Sequence, residues 1–273
     1  IWEHIDPEHP LYDPERSPRY REKFVKFWQR IDKFLERLYQ LAGRDTIMFI
    51  VSDHGFGPSY QTFNLARWLC EKKFMFVKKS RVKSKLKKVA FGLAKVIAKT
   101  PLKKYIPLNV RKRVRRSIRA SIADLIDFDK SVAYCLGHTI VFGAIYLNPK
   151  LKGEEKERVA EEILTSLKNV GEDLGRKIVV EAYRSRKIYS GPKLDLLPEI
   201  VFTINDWKCG IVENDLKRPI FEDAPFSSRR TGSHRPLGIF VAYGPGIRKN
   251  FDLGVAKIYD VAPTVLHIFG LPI

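Results

Sequence analysis

Two short stretches carry the side chains best suited to chemistry, Ser52-Asp53-His54-Gly55 and Gly232-Ser233-His234-Arg235. An Asp and a His side by side offer one divalent ion a hard oxygen and a borderline nitrogen. The plainer reading of the same pair is a polar turn in which His54 is merely hydrogen-bonded. His234 poses a similar choice between metal ligand and loop histidine, and Gly232 with the apolar run after Pro236 favours the ligand. Arg229, Arg230 and Arg235 crowd it, either as planar forks for phosphate oxygens or as surface charges. Near the start, His4, Asp6 and His9 lie among Pro7, Pro10 and Pro14, which reads as a surface loop ahead of a helix. His138 reads as a hydrogen-bonded loop histidine.

The elements that must position these groups follow from periodicity. Ile47 to Val51 is a continuous apolar run with three β-branched residues. It reads as a strand buried on both faces of a parallel sheet. Asp53 and His54 emerge at its carboxyl end, where open α/β sheets bind ligands. Gly55 and Gly57 let the chain turn there and let a ligand approach. Upstream, Phe24, Phe27, Trp28, Ile31, Phe34, Leu35 and Leu38 recur every three or four residues. That spacing predicts an amphipathic helix over 19–40, closed by Gly43. Further on come a short helix from Asn64, a strand over Phe74–Val77 and two basic helices, the second over Val110–Ile126. A compact strand–helix–strand unit follows (Thr139–Leu147, Glu154–Val170, Lys177–Tyr183). Asn205 to Phe226 reads as loop, and Leu237–Tyr243 as a strand.

Val51-Ser52-Asp53-His54-Gly55-Phe56-Gly57 resembles the metal-binding signature of the alkaline phosphatase superfamily, most closely its type I phosphodiesterase/nucleotide pyrophosphatase branch. Two further blocks are similar to that family in the same order, Thr231 to Ile247 and Ile258 to Leu266. Glu199 stands where the family usually has Asp. The resemblance implies an alkaline-phosphatase-like doubly wound α/β sheet with helices on both faces. It also implies hydrolysis of phosphodiester or nucleotide pyrophosphate bonds at two divalent ions, zinc or else manganese. Asp53 and His54 would then ligate the ion that activates the nucleophile, and His234 would complete the shell of the second. The nucleophile (Thr or Ser), a first Asp ligand and an Asp-x-x-x-His pair are expected upstream of Ile1. The chain therefore reads as a fragment, inactive by itself.

On this reading residues 1–70 and 191–273 form the catalytic core, and 71–190 insert a basic helical cap and a small α/β subdomain. The formal charge of +19 is concentrated there: Lys72 to Arg119 holds 19 Lys and Arg and no Asp or Glu. Such a segment draws small anionic phosphoester substrates or attaches to an anionic membrane surface. Sequence-specific nucleic-acid binding is not expected, because no aromatic platform accompanies the charges. Cys70, Cys135 and Cys209 are too scattered for a disulfide framework. No apolar run is long enough to span a bilayer, and the cytoplasm is the expected compartment. Two alternatives stand beside the phosphodiesterase. One is a sister enzyme of the superfamily (phosphomonoesterase, phosphoglycerate mutase or sulfatase). The other is a non-catalytic basic protein that binds membranes or polyanions on the same scaffold.

Overall fold

The computed structural model describes residues 1–78, 125–136, 142–213, 215–226 and 230–272. Most of the expected basic cap, with His138 and Arg229, lies outside those residues. The fold is mixed α/β and divides into two compact units, Ile1–Tyr60 with Asp223–Ile273, and Gln61–Glu222. The principal elements in chain order are α1 (Trp2–Ile5), α2 (Ser17–Ala42), β1 (Met48–Val51), β2 (Gly55–Pro58), β3 (Gln61–Asn64), α3 (Leu65–Glu71), β4 (Ala133–Tyr134), β5 (Gly143–Leu147), α4 (Gly153–Lys168), β6 (Val180–Arg184), β7 (Ile200–Ile204), β8 (Cys209–Val212), β9 (Phe221–Glu222), β10 (Gly232–Arg235), β11 (Phe240–Tyr243) and α5 (Val261–Ile268).

In the first unit α2 forms where the apolar spacing predicts it. Pro18 sits in its first turn, where a missing N–H costs no helical bond. Gly43 ends it at φ 87°, with its N–H still donating to the Tyr39 carbonyl. The strand after it departs from expectation. β1 pairs antiparallel with β11, from Met48 opposite Tyr243 to Val51 opposite Phe240, and Val51 is 38% exposed. Continuous apolarity records that both faces can be buried but not which neighbours bury them. Among the described residues this sheet has two strands, and on α2 Phe27, Phe34 and Leu41 stand 54, 57 and 75% exposed. The buried Ile, Leu, Val, Met, Phe and Trp side chains of the described residues all belong to the second unit.

That second unit has a completed core. A sheet of order β4-β5-β7-β6, antiparallel throughout, is covered by α4, whose Val159, Ala160, Ile163, Leu164 and Leu167 are buried. Glu154 and Glu155 occupy the first turn of α4, where the helix dipole favours negative charge. β3 runs parallel to β8 and antiparallel to β9. β8 and β9 therefore lie inside the stretch Asn205–Phe226 that reads as loop. Four residues of β8 and two of β9 are too few for any period to show. Ile126, expected to close a basic helix, instead bridges Val77 antiparallel. No helix among the described residues is long and apolar enough to cross a membrane.

Arg184 is 4% exposed and reaches three carboxylates: Glu199 at 2.6 Å, and Glu157 and Glu161 of α4 at 3.2 Å each. Glu199 thus has a definite structural partner in the Arg184 guanidinium. Burial alone would raise its carboxyl, but hydrogen bonds from Lys156 and Arg184 outweigh that and hold it below its usual range. Bonds from Arg186 and then Arg184 hold Glu157 down to about 2, against an ordinary 4.5. A carboxyl depressed on folding stabilises the fold above its unfolded pKa and loses that contribution as pH falls through the folded one. Resistance to urea is accordingly expected to be steady at neutral pH and to decline between about pH 4.5 and pH 2. A denaturation midpoint that stays flat over that window would show the network to be energetically idle.

Candidate metal centre

Asp53 and His54 follow β1, as the sequence predicts, and lead directly into β2. The second block, expected as a turn before a strand, is itself the strand β10. It pairs antiparallel with β2, setting Gly55 opposite Arg235, Phe56 opposite His234 and Gly57 opposite Ser233. This register brings the two sequence-predicted histidines together. Their rings stack with centroids 4.0 Å apart and planes inclined by 19°, and the Phe56 ring flanks His234 at 5.7 Å.

The local bonds set the donor directions. His54 Nδ1 lies 2.9 Å from the Gly55 carbonyl oxygen, which can only accept, so Nδ1 carries the proton. The lone pair is then on Nε2, the tautomer that a carbonyl bond to the other nitrogen fixes in metal-ligating histidines. Nε2 stands 3.5 Å from Asp53 Oδ1. Two ligands on tetrahedral arms of ~2.1 Å are about 3.4 Å apart, so this separation fits one ion between them. The Asp53 side chain is 81% exposed and that of His54 40%, leaving the donors open to solvent.

The stack would keep His234 off an ion held by that pair. Rings with centroids 4.0 Å apart and planes inclined by 19° have planes that meet on the order of 10 Å away, whereas a zinc–imidazole bond is ~2.1 Å and lies in the ring plane. Stacked imidazoles so placed can serve two ions but not converge on one. Among the described residues, no group of three or more His, Cys, Asp or Glu is placed to hold a metal ion.

Backbone approach explains the glycines better than turning does, for neither Gly55 nor Gly57 has a positive φ. A Cβ on Gly55 would meet the Leu237 carbonyl oxygen at 1.9 Å, and one on Gly57 would meet Arg235 Nε at 2.7 Å. Gly55→Ala is therefore expected to lower stability by roughly 1–3 kcal/mol, the usual cost of overpacking against backbone. It should also disturb the stack, checked by thermal melting with zinc titration. Wild-type behaviour in both would mean that this close approach is easily relieved.

Ser52 is a supporting residue whose role sequence reasoning missed. Its Oγ accepts from the Ile239 N–H at 2.6 Å, and its own N–H donates to the Ile239 carbonyl at 2.9 Å. These bonds tie the backbone next to Asp53 to the lead into β11. The only signal in the sequence was its place inside the Ser-Asp-His-Gly block.

The sequence predicts a surface loop for His4, Asp6 and His9, but His4 lies in α1 and His9 is 3% exposed; all three make contacts within the chain. The Leu11 N–H donates to His9 Nδ1, so its Nε2 bears the proton and donates to the Thr231 carbonyl at 3.1 Å. His4 stacks on Tyr20 at 4.0 Å. Asp6 accepts from the Tyr60 hydroxyl, and burial together with that carboxylate pushes the phenol up to about 12. These contacts pin the opening loop beside β10. A cavity of about 320 Å³ in the second unit, lined by Arg67, Glu71, Arg176 and Phe221 among others, contains none of the predicted site residues.

Residues 1–234 match the family described as type I phosphodiesterase / nucleotide pyrophosphatase. No curated protein matches the chain, and no solved structure does.

Proposed function

Because the chain belongs to the type I phosphodiesterase / nucleotide pyrophosphatase family, we propose that its first unit holds part of a two-metal site for diester or pyrophosphate hydrolysis. The family implies phosphoric ester hydrolysis, and its members are generally metal-dependent. In this reading Asp53 and His54 hold one ion and His234 contributes to the second. The observation that carries the division is the imidazole stack, whose 4.0 Å layering matches the ~3.5–4 Å spacing of paired catalytic ions. Two such ions, when bound, generate a nucleophile and stabilise both the attacking and the leaving oxygen. Carboxylate and imidazole donors suit zinc, with manganese the second choice.

The chain's own residues present the donors and fix their directions: Gly55 sets the His54 tautomer, Ser52 anchors the strand end, and β10 presents His234. The nucleophile and remaining ligands are assigned to further polypeptide. The exposed apolar side chains of α2, β1 and β11 support this, because a unit with no buried Ile, Leu, Val, Met, Phe or Trp side chain among its described residues calls for more structure against that face. With such additions β1 would become an interior strand of the doubly wound sheet, and 71–190 an insertion between the halves of the core. The basic stretch Lys72–Arg119 would draw anionic substrate towards the site.

The test uses the full-length polypeptide, reloaded with zinc or manganese and assayed on bis-p-nitrophenyl phosphate beside p-nitrophenyl phosphate. Faster turnover of the diester, lost on chelation, is expected. Preference for the monoester would move the assignment to a phosphomonoesterase of the superfamily. No turnover with metal demonstrably bound would favour a scaffold without catalysis.

A further inference from the structure

The Arg235 side chain does not extend from β10 into solvent. It folds back over the bare Cα of Gly57, where any Cβ would sit 2.7 Å from its Nε and 3.0 Å from its Cγ. Its head group bridges the two strands: Nη1 donates to the His234 carbonyl at 2.9 Å and Nη2 donates to the Pro58 carbonyl. Strand alternation puts Arg235 and His234 on opposite faces of the ribbon. The guanidinium thus grips the back of the ribbon that carries the histidine stack on its front.

From this geometry we infer that Arg235 is a positioning residue, which clamps β2 to β10 and so holds His234 over His54 without touching substrate. The inference rests on the metal-centre reading of that stack. A two-stranded ribbon of four-residue strands is marginal by itself, and β2 has two glycines in its four positions. Register between the strands decides whether the imidazoles face one another, because a slip of one residue turns His234 to the other face. A planar fork with donors for two carbonyls at once resists such a slip; a lysine ammonium on a flexible stem reaches one of them. Gly57 has the matching role, since its missing side chain makes the seat in which the arginine lies.

Two readouts on the full-length protein test the clamp, one of them independent of metal. The first is the affinity for zinc measured by titration calorimetry, in wild type, Arg235→Gln and Arg235→Lys. Loss of a residue that orients a ligand from behind typically weakens metal binding about 10–100-fold. That loss is expected for Arg235→Gln, with partial recovery in Arg235→Lys and with KM for the diester changed less than zinc affinity. The second is the nuclear Overhauser contact between the His54 and His234 ring protons in metal-free protein, expected in wild type and lost in Arg235→Gln. Should Arg235→Gln unfold, Arg235→Lys carries both readouts with its charge retained. Unchanged zinc affinity with a sharply raised KM would make Arg235 a substrate contact and overturn the proposal. A wild type that binds no zinc would defeat the metal-centre reading, while the ring contact would still decide on the clamp. Persistence of that contact at wild-type strength in Arg235→Gln, or in Arg235→Lys should the first variant unfold, would overturn it.

Discussion

Asp53→Ala in the full-length polypeptide is expected to reduce metal-dependent diester hydrolysis by about a thousandfold or more, which corresponds to ~4 kcal/mol or more of barrier. Stability should scarcely change. The carboxylate is 81% exposed, and His54 Nε2 lies 3.5 Å from its Oδ1. Exposed substitutions of this kind stay within about 0.5 kcal/mol. Asp53→Ala leaves His54 in place, so in the proposed site one of this chain's two donors to that ion is lost and the other kept. Turnover at saturating metal, thermal midpoint and zinc content measured on one preparation separate the two effects. Full activity in Asp53→Ala would remove the carboxylate from the chemistry.

In the second unit, Arg184→Ala carries the largest expected loss of stability, roughly 3 kcal/mol. Removing one partner of a buried ion pair strands the other, at a typical cost of about 3–5 kcal/mol. The surrounding exposures place the figure at the low end. Glu157 and Glu161 are 47 and 66% exposed and can turn to water, whereas Glu199 is 12% exposed and cannot. Lys156, 2.7 Å from Glu199, keeps part of the compensation. Pairing Arg184→Met with Glu199→Leu removes the stranded charge along with its partner and should recover most of the loss. Urea denaturation of the single and double variants tests both statements. A double variant no more stable than Arg184→Ala would mean that the arginine acts through packing rather than charge.

Much of the architecture was legible because it rests on local periodicity. The three- and four-residue spacing from Phe24 to Leu38 marks α2, and Val159, Ile163, Leu164 and Leu167 mark α4. β8 and β9 were not legible, because a few residues show no period and their membership comes from pairing with β3, far away in sequence. The same limit applies to the site. Asp53, His54 and His234 stand out as chemical types at motif spacing. What joins them is the β2–β10 register, and no residue type encodes that by itself. Gly55 and Gly57 illustrate the point: a turn was the natural reading of their sequence, yet their function is to admit the Leu237 carbonyl and the Arg235 side chain. The apolar run at β1 identified a strand correctly and its sheet neighbours not at all.

The most direct test of the two-metal reading is a count of zinc ions per chain in the full-length protein, by mass spectrometry of metal content after equilibrium dialysis. Two ions are expected in the wild type. His54→Ala and His234→Ala should each lose one, and the residual affinities of the two variants should differ, because in the proposed site the stacked rings, with centroids 4.0 Å apart, would serve separate ions. A single ion in the wild type, lost equally in both variants, would show that the imidazoles converge on one site and would contradict the account.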